Sequence, residues 1–150
     1  MADNANYLVN GAWKGAGAAI SEESPVPPSN WPNPIACVSN SFCLAAEGFG
    51  YVLAYDGRLW SMPADIDGND YLRSISCANA DFCVAVDGRL APGFGGGTGS
   101  GNAVTFDGNA WSSPTDVDGS NVITSVSCPT PQFCLAVDAS GNAIVGRVTG

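Results

Sequence analysis

The chain has 150 residues, one domain's worth, with 45% hydrophobic residues, 19 glycines and 10 prolines. The apolar share fills a core, but so many glycines and prolines argue against long helices. A net charge of −9, with only Lys14, Arg58, Arg73, Arg89 and Arg147 as scattered basic residues, excludes the phosphate-neutralising surface that nucleic-acid binding requires. The sequence has no apolar run long enough to span a bilayer and no basic amphipathic helix to lie on one, so no membrane insertion is expected. Short runs rich in Val, Ile, Phe and Tyr between Gly, Asn and Asp read as strands between turns, which gives an all-β class.

In chain order, Asn4 to Val9 has the look of a strand, and Asn10-Gly11-Ala12-Trp13 is a tight turn leading to a tryptophan. A proline-rich loop at 24–34 contains Trp31 and cannot join a central strand. Next comes a cysteine hairpin, IACVSNSFCLAAE (Ile35 to Glu47), then Tyr55-Asp56-Gly57-Arg58-Leu59-Trp60 and the acidic run Asp65-Ile66-Asp67-Gly68-Asn69-Asp70. Tyr71 precedes a second hairpin, ISCANADFCVAVD (Ile75 to Asp87). A glycine-rich insertion at 88–101 separates it from Phe106-Asp107-Gly108-Asn109-Ala110-Trp111 and from Asp116-Val117-Asp118-Gly119-Ser120-Asn121. The third hairpin, VSCPTPQFCLAVD (Val126 to Asp138), falls in a unit with strands expected at Val122 to Ser127, Phe133 to Val137 and Asn142 to Val148.

The first cysteines of the hairpins stand at 37, 77 and 128, so the period is 40 and then 51 residues. A period in this range marks a repeat architecture. The units run approximately 31–70, 71–121 and 122–150 plus 1–20, because the last unit lacks its tryptophan segment and the start of the chain carries one. Cys37 with Cys43, Cys77 with Cys83, and Cys128 with Cys134 face each other across a short turn at bridging distance. With no histidine and no Cys-x-x-Cys pair, a zinc site is a poor rival, and buried thiols are the other alternative. Disulfides imply an oxidising compartment, hence a secreted protein. The opening Met-Ala-Asp-Asn-Ala-Asn lacks the pattern of a signal peptide.

Three such units admit a β-trefoil, closed within one chain, or a β-propeller of about three four-stranded blades per chain. A propeller needs at least four blades, so three units imply completion by homodimerisation to six. The pattern Ser-Val-Ser-Cys-(x4)-Phe-Cys-Leu-Ala-Val-Asp, then Gly-Asn-Ala, then an aromatic-Asp-Gly-x-x-Trp-Ser-x-Pro resembles the Cys-hairpin propeller repeats of secreted actinobacterial proteins. Positions 75–87 and 125–143, with the tryptophan segments at 55–63 and 106–114, carry it, about two-thirds of the chain in all. The first unit departs from it, with Pro34-Ile35-Ala36 in place of Ser-x-Ser and Glu47 in place of aspartate. Tyr-Asp-Gly-x-x-Trp also looks like the blade motif of small bacterial and fungal propeller lectins, some of which build six blades from short chains. The Gln-x-Trp triplet of ricin-type trefoil lectins is absent.

Trp13, Trp60 and Trp111 follow their turns in register. They can stack on the apolar face of a pyranose, or pack between neighbouring units as repeat core. Trp31 and Tyr71 lie six residues before their first cysteine, as exposed sugar platforms or as lids on the core. The acidic runs offer oxygens at alternate positions, with Asp65, Asp67, Asp116 and Asp118 as candidate calcium ligands. An EF-hand's twelfth-position carboxylate is missing, since Ser76 and Ser127 stand there, and Asp-Gly turns account for the same residues. Without histidine, Ser-His and Cys-His nucleophiles are excluded. A glycosidase would need only two carboxylates, but acids that recur with the repeat suit several similar sites better than one active site. The sequence thus reads as a secreted carbohydrate-binding homodimer, a lectin for glycans without a required cofactor. A structural or protein-binding scaffold and a glycosidase-like enzyme are its alternatives.

Overall fold

The computed structural model describes residues 34–47, 49–68, 70–88 and 100–147, together with the backbone of two short paired strands, β1 (Tyr7–Val9) and β2 (Ala12–Lys14). Trp31 with the proline-rich loop up to residue 33, the insertion from 89 to 99, and the side chain of Trp13 lie outside the described residues. Among the described residues every regular element is a strand, and no helix is long and apolar enough to cross a membrane.

Each repeat folds into its own antiparallel meander. Sheet one runs β3 (Ile35–Ser39), β4 (Phe42–Glu47), β5 (Tyr51–Tyr55) and β6 (Ala64–Asp65). Sheet two runs β7 (Leu72–Asn79), β8 (Phe82–Asp87), β9 (Asn102–Phe106) and β10 (Thr115–Asp116). Sheet three has β11 (Ile123–Thr130), β12 (Phe133–Asp138) and β13 (Ala143–Arg147). The cysteine hairpins join the first two strands of each sheet. Cys37 stands directly opposite Cys43 and Cys77 opposite Cys83, and all six cysteines form the three local disulfides.

The tryptophan segments differ from the expected fourth strand. Trp60 and Trp111 make isolated bridges to Tyr55 and Phe106, and regular pairing resumes only in the two-residue β6 and β10. Between these points Ser61 and Ser112 double as ladder partners. Each donates its N–H to the neighbouring strand and accepts that strand's N–H on its hydroxyl, with Ala54 to Ser61 Oγ at 2.9 Å and Thr105 to Ser112 Oγ at 3.0 Å. Pro63 and Pro114 follow, and a residue without N–H cannot continue a ladder. The outer strand is therefore broken in two.

Sheet two is covered on both faces, and β8 shows it at period two. Cys83 and Ala85 join a cluster with Leu44, Ala46 and Val52 of sheet one, whereas Val84 and Val86 join Ile123, Val126 and Ala136 of sheet three. This explains why the hairpin sequences read as almost continuous apolar runs. The first strands pack against one another in series, β3 on β7 and β7 on β11. Ser74 and Ser76 accept hydrogen bonds on Oγ from the backbone N–H groups of Val126 (3.1 Å) and Cys128 (2.9 Å). The Ser74-Ile75-Ser76 ahead of Cys77 is thus a clamp on the next unit's first strand, satisfying edge donors that would otherwise lack partners.

The series ends at sheet three. Leu135 and Val137 occupy the register of Val84 and Val86, yet they are 40% and 42% exposed, with Val145 beside them at 52%. Ser125 and Ser127, the counterparts of the clamp serines, are exposed too. At the opposite end Ile35, the counterpart of the buried Ile75 and Val126, is 58% exposed.

Candidate functional site

Two hairpin tips carry the repeated aromatic residues. Asp56 closes the first by donating its N–H to the Leu59 carbonyl at 3.2 Å, while its Oδ1 accepts the N–H groups of Arg58 and Leu59, both at 2.8 Å. Gly57, at φ 95°, takes the left-handed position of this two-residue turn, and a Cβ there would meet Ser41. The turn at Asp107 repeats the arrangement with Asn109 (2.9 Å) and Ala110 (2.8 Å). These amide donors, Leu59 and Arg58 for Asp56, Ala110 and Asn109 for Asp107, hold both carboxyls below the usual aspartate value. Both are ionised at neutral pH.

Each turn sets a tryptophan against the preceding aromatic ring. Tyr55 and Trp60 have centroids 5.2 Å apart at 43°, and Phe106 and Trp111 are 5.2 Å apart at 40°. Trp111 and Phe106 pack against the cluster between sheets one and two, yet the indole keeps part of its surface in solvent. Trp60 is also half-buried, flanked by Leu59 and Met62, which are exposed. Tyr71 pairs with Phe49 at 5.2 Å and 41°, away from either tip in sequence. Among the described residues there are therefore three tilted aromatic pairs on separate loops, with an aspartate turn at two of them.

The acidic runs split by direction. Asp65 and Asp116 cap their own turns, their Oδ1 atoms accepting the N–H of Gly68 (2.7 Å) and Gly119 (2.6 Å). Asp67 faces inward instead, and it meets Asp70 from the same loop and Asp87 from the end of β8. One carboxylate oxygen from each lies within 4.8 Å of the others. The loop is pinned over Gly50, whose carbonyl accepts the Ile66 N–H at 2.8 Å and where a Cβ would meet the Asp67 backbone at 2.8 Å. Asp87 is fully buried and held by Asn102, whose backbone N–H and side-chain amide donate to its two oxygens at 2.8 and 2.7 Å. Burial, reinforced by the charges of Asp87, Asp70 and Asp65, pushes the Asp67 carboxyl up to about 8.

The next junction repeats this arrangement with one substitution. Asp118 and Asn121 come from the loop and Asp138 from the end of β12, with Asn142 donating to Asp138 through its backbone and side chain, both at 2.7 Å. The Asn142 bonds, aided by the Ser140 N–H, hold Asp138 below its usual value. Asp70, Asp87 and Asp138 are residues that the sequence reading missed. The signal was present: an aspartate ends both the FCVAVD and FCLAVD strands, and an asparagine opens the next strand or the turn before it.

Between sheets two and three lies an apolar cleft of about 510 Å³, walled by Phe82, Val84, Phe133 and Ile144, with Thr105, Gln132 and Arg147 at polar positions. The equivalent space between sheets one and two is occupied by Phe106 and Trp111. Gly146 takes the place of Phe106 in sheet three, opposite Cys134 as Phe106 is opposite Cys83, so sheet three brings no ring of its own to the gap at this position. Compared with models of known protein families the chain matches none, and no curated protein matches it.

Proposed function

We propose that the chain is a secreted, non-catalytic carbohydrate-binding protein of propeller type, whose ring is completed by a second copy. The observation that supports sugar binding is the repeated rim site: a tilted aromatic pair, half-exposed, at a turn that fixes an ionised aspartate. An indole face takes the apolar side of a pyranose, and carboxylate and backbone groups take its hydroxyls. Trp111 illustrates how one residue serves both readings made from the sequence, packing by one side into a junction while its other side meets solvent. Several such rims on one rigid body give avidity, because the second contact is intramolecular.

Separate meanders stacked in series favour a propeller over a trefoil. The open faces favour a partner of the same chemistry as the chain's own internal junctions. Leu135, Val137 and Val145, with the Ser125 and Ser127 clamps, match the surface that sheet two offers to sheet three. Ile35 lies on the surface that would meet it. The backbone pairing Leu8↔Trp13 has the five-residue spacing of Tyr55↔Trp60 and Phe106↔Trp111. The partner's Trp13 hairpin would then supply the segment that sheet three lacks, at the cleft left open by Gly146.

On a glycan array the protein is expected to bind a sugar class competed by free monosaccharide. Trp60→Ala should weaken that binding by about tenfold with an unchanged melting temperature. No glycan binding, together with capture of a protein partner, would favour the scaffold reading instead. An unfolded Trp60→Ala would assign that indole to packing alone, and Asp107→Asn, which keeps the turn acceptor but removes the charge, then carries the test.

A further inference from the structure

We infer that the junction between sheets one and two is a binding site for a hard divalent cation, calcium by preference, with Asp67, Asp70 and Asp87 as its carboxylate ligands. Three oxygens within 4.8 Å of one another can face a single ion at the calcium–oxygen distance of about 2.4 Å. Acidic residues gather on many surfaces without binding metal, but here Asp67 and Asp87 are buried and Asp70 is half-buried. Asp67 is only 7% exposed, and its Oδ2 is enclosed without a hydrogen-bond partner. A buried carboxylate oxygen with no donor is costly, and a cation between the three side chains supplies what the protein itself does not.

The groups that hold the carboxylates fit the same purpose. Both oxygens of Asp87 accept hydrogen bonds from Asn102, which fixes the carboxylate as a ligating group must be fixed. The loop carrying Asp67 and Asp70 is the link from sheet one to sheet two, so an ion held there ties two units at the point where the chain crosses. The neighbouring junction supplies an internal comparison. It has the same inward aspartate, Asp118, whose Oδ2 is likewise enclosed and unpartnered, but Asn121 replaces the third carboxylate. Affinity follows ligand charge, so the first junction is the tighter site. The rival occupant is a proton shared between Asp67 and Asp87, and it makes the opposite prediction about added metal.

Calorimetric titration of the chelator-stripped protein with calcium chloride at pH 7.5, paired with thermal melting, separates the two. The cation site predicts saturable uptake and a higher melting temperature with calcium. Asp70→Asn should weaken binding at least about tenfold while the metal-free melting temperature does not fall below the parent's, because a like charge beside Asp67 is removed. That variant is expected to fold, because it reproduces the Asp118–Asn121–Asp138 arrangement found one unit along. Asp67→Asn should abolish uptake at this junction. A parent protein that takes up no calcium and melts at the same temperature in its presence overturns the proposal in favour of the shared proton. Equal calcium affinity of Asp70→Asn and the parent overturns it as well.

Discussion

Reduction of the three disulfides is expected to unfold the protein. Each bridge closes a loop of six positions, and the chain-entropy estimate assigns about 2 kcal/mol to a loop of that size. Three bridges therefore contribute about 6 kcal/mol, comparable to the whole stability of a small domain at about 5–15 kcal/mol. The sheets offer little to offset that loss, since β6 and β10 have two residues each and sheet three has one face open to water. Denaturation followed by far-ultraviolet circular dichroism, with and without reductant, should show the midpoint collapse on reduction. An unchanged midpoint would mean that the inter-sheet clusters suffice alone.

The second large effect is expected at Ile123. Its side chain is fully buried in the cluster between sheets two and three, among Val84, Val86 and Val126. Ile123→Ala removes three carbons from a site pinned on both sides, and such truncations lower stability by about 3–4 kcal/mol. Leu135→Ala makes the informative contrast, because Leu135 is the register counterpart of Val84 but is 40% exposed, on a face that no described sheet covers. Its effect on the stability of a single chain should stay below about 1 kcal/mol, while its effect on assembly should be large. Equal losses of stability for the two substitutions would show that the face of sheet three is covered within the chain itself.

The parts of this fold that were legible in the sequence are those governed by local rules. Cysteines six apart around a tight turn predict their own pairing. The predicted strand Phe133 to Val137 is found as Phe133–Asp138, and the predicted Asn142 to Val148 as Ala143–Arg147. The Asp-Gly turns are found where glycine at the first turn position requires a left-handed φ. The broken fourth strand was less legible, because the hydroxyl of Ser61 or Ser112 enters the ladder through a side chain and leaves no mark on the apolar pattern. Ser-x-Ser likewise read as part of a repeat signature, although its hydroxyls act on a strand 52 positions further along.

The acidic junction shows the same limit. Alternation along 65–70 drew attention to Asp65 and Asp67 as ligands of one loop, but at that spacing Asp65 is consumed by its own turn. The groups that meet Asp67 come from Asp70, which lies past the bend, and from Asp87, which sheet pairing brings back. Only the placement of β8 beside the crossing loop makes them neighbours.

The open ends of the sheet series call for a second copy, and molecular mass in solution tests that proposal directly. Light scattering on the purified, oxidised chain should give twice the 15.2 kDa of one copy if, as proposed, a second chain covers the Leu135–Val137–Val145 face and the surface around Ile35. Leu135→Asp should shift the population toward single chains by placing a charge in that contact. A parent protein that stays at 15.2 kDa across concentrations where such contacts form would contradict the account.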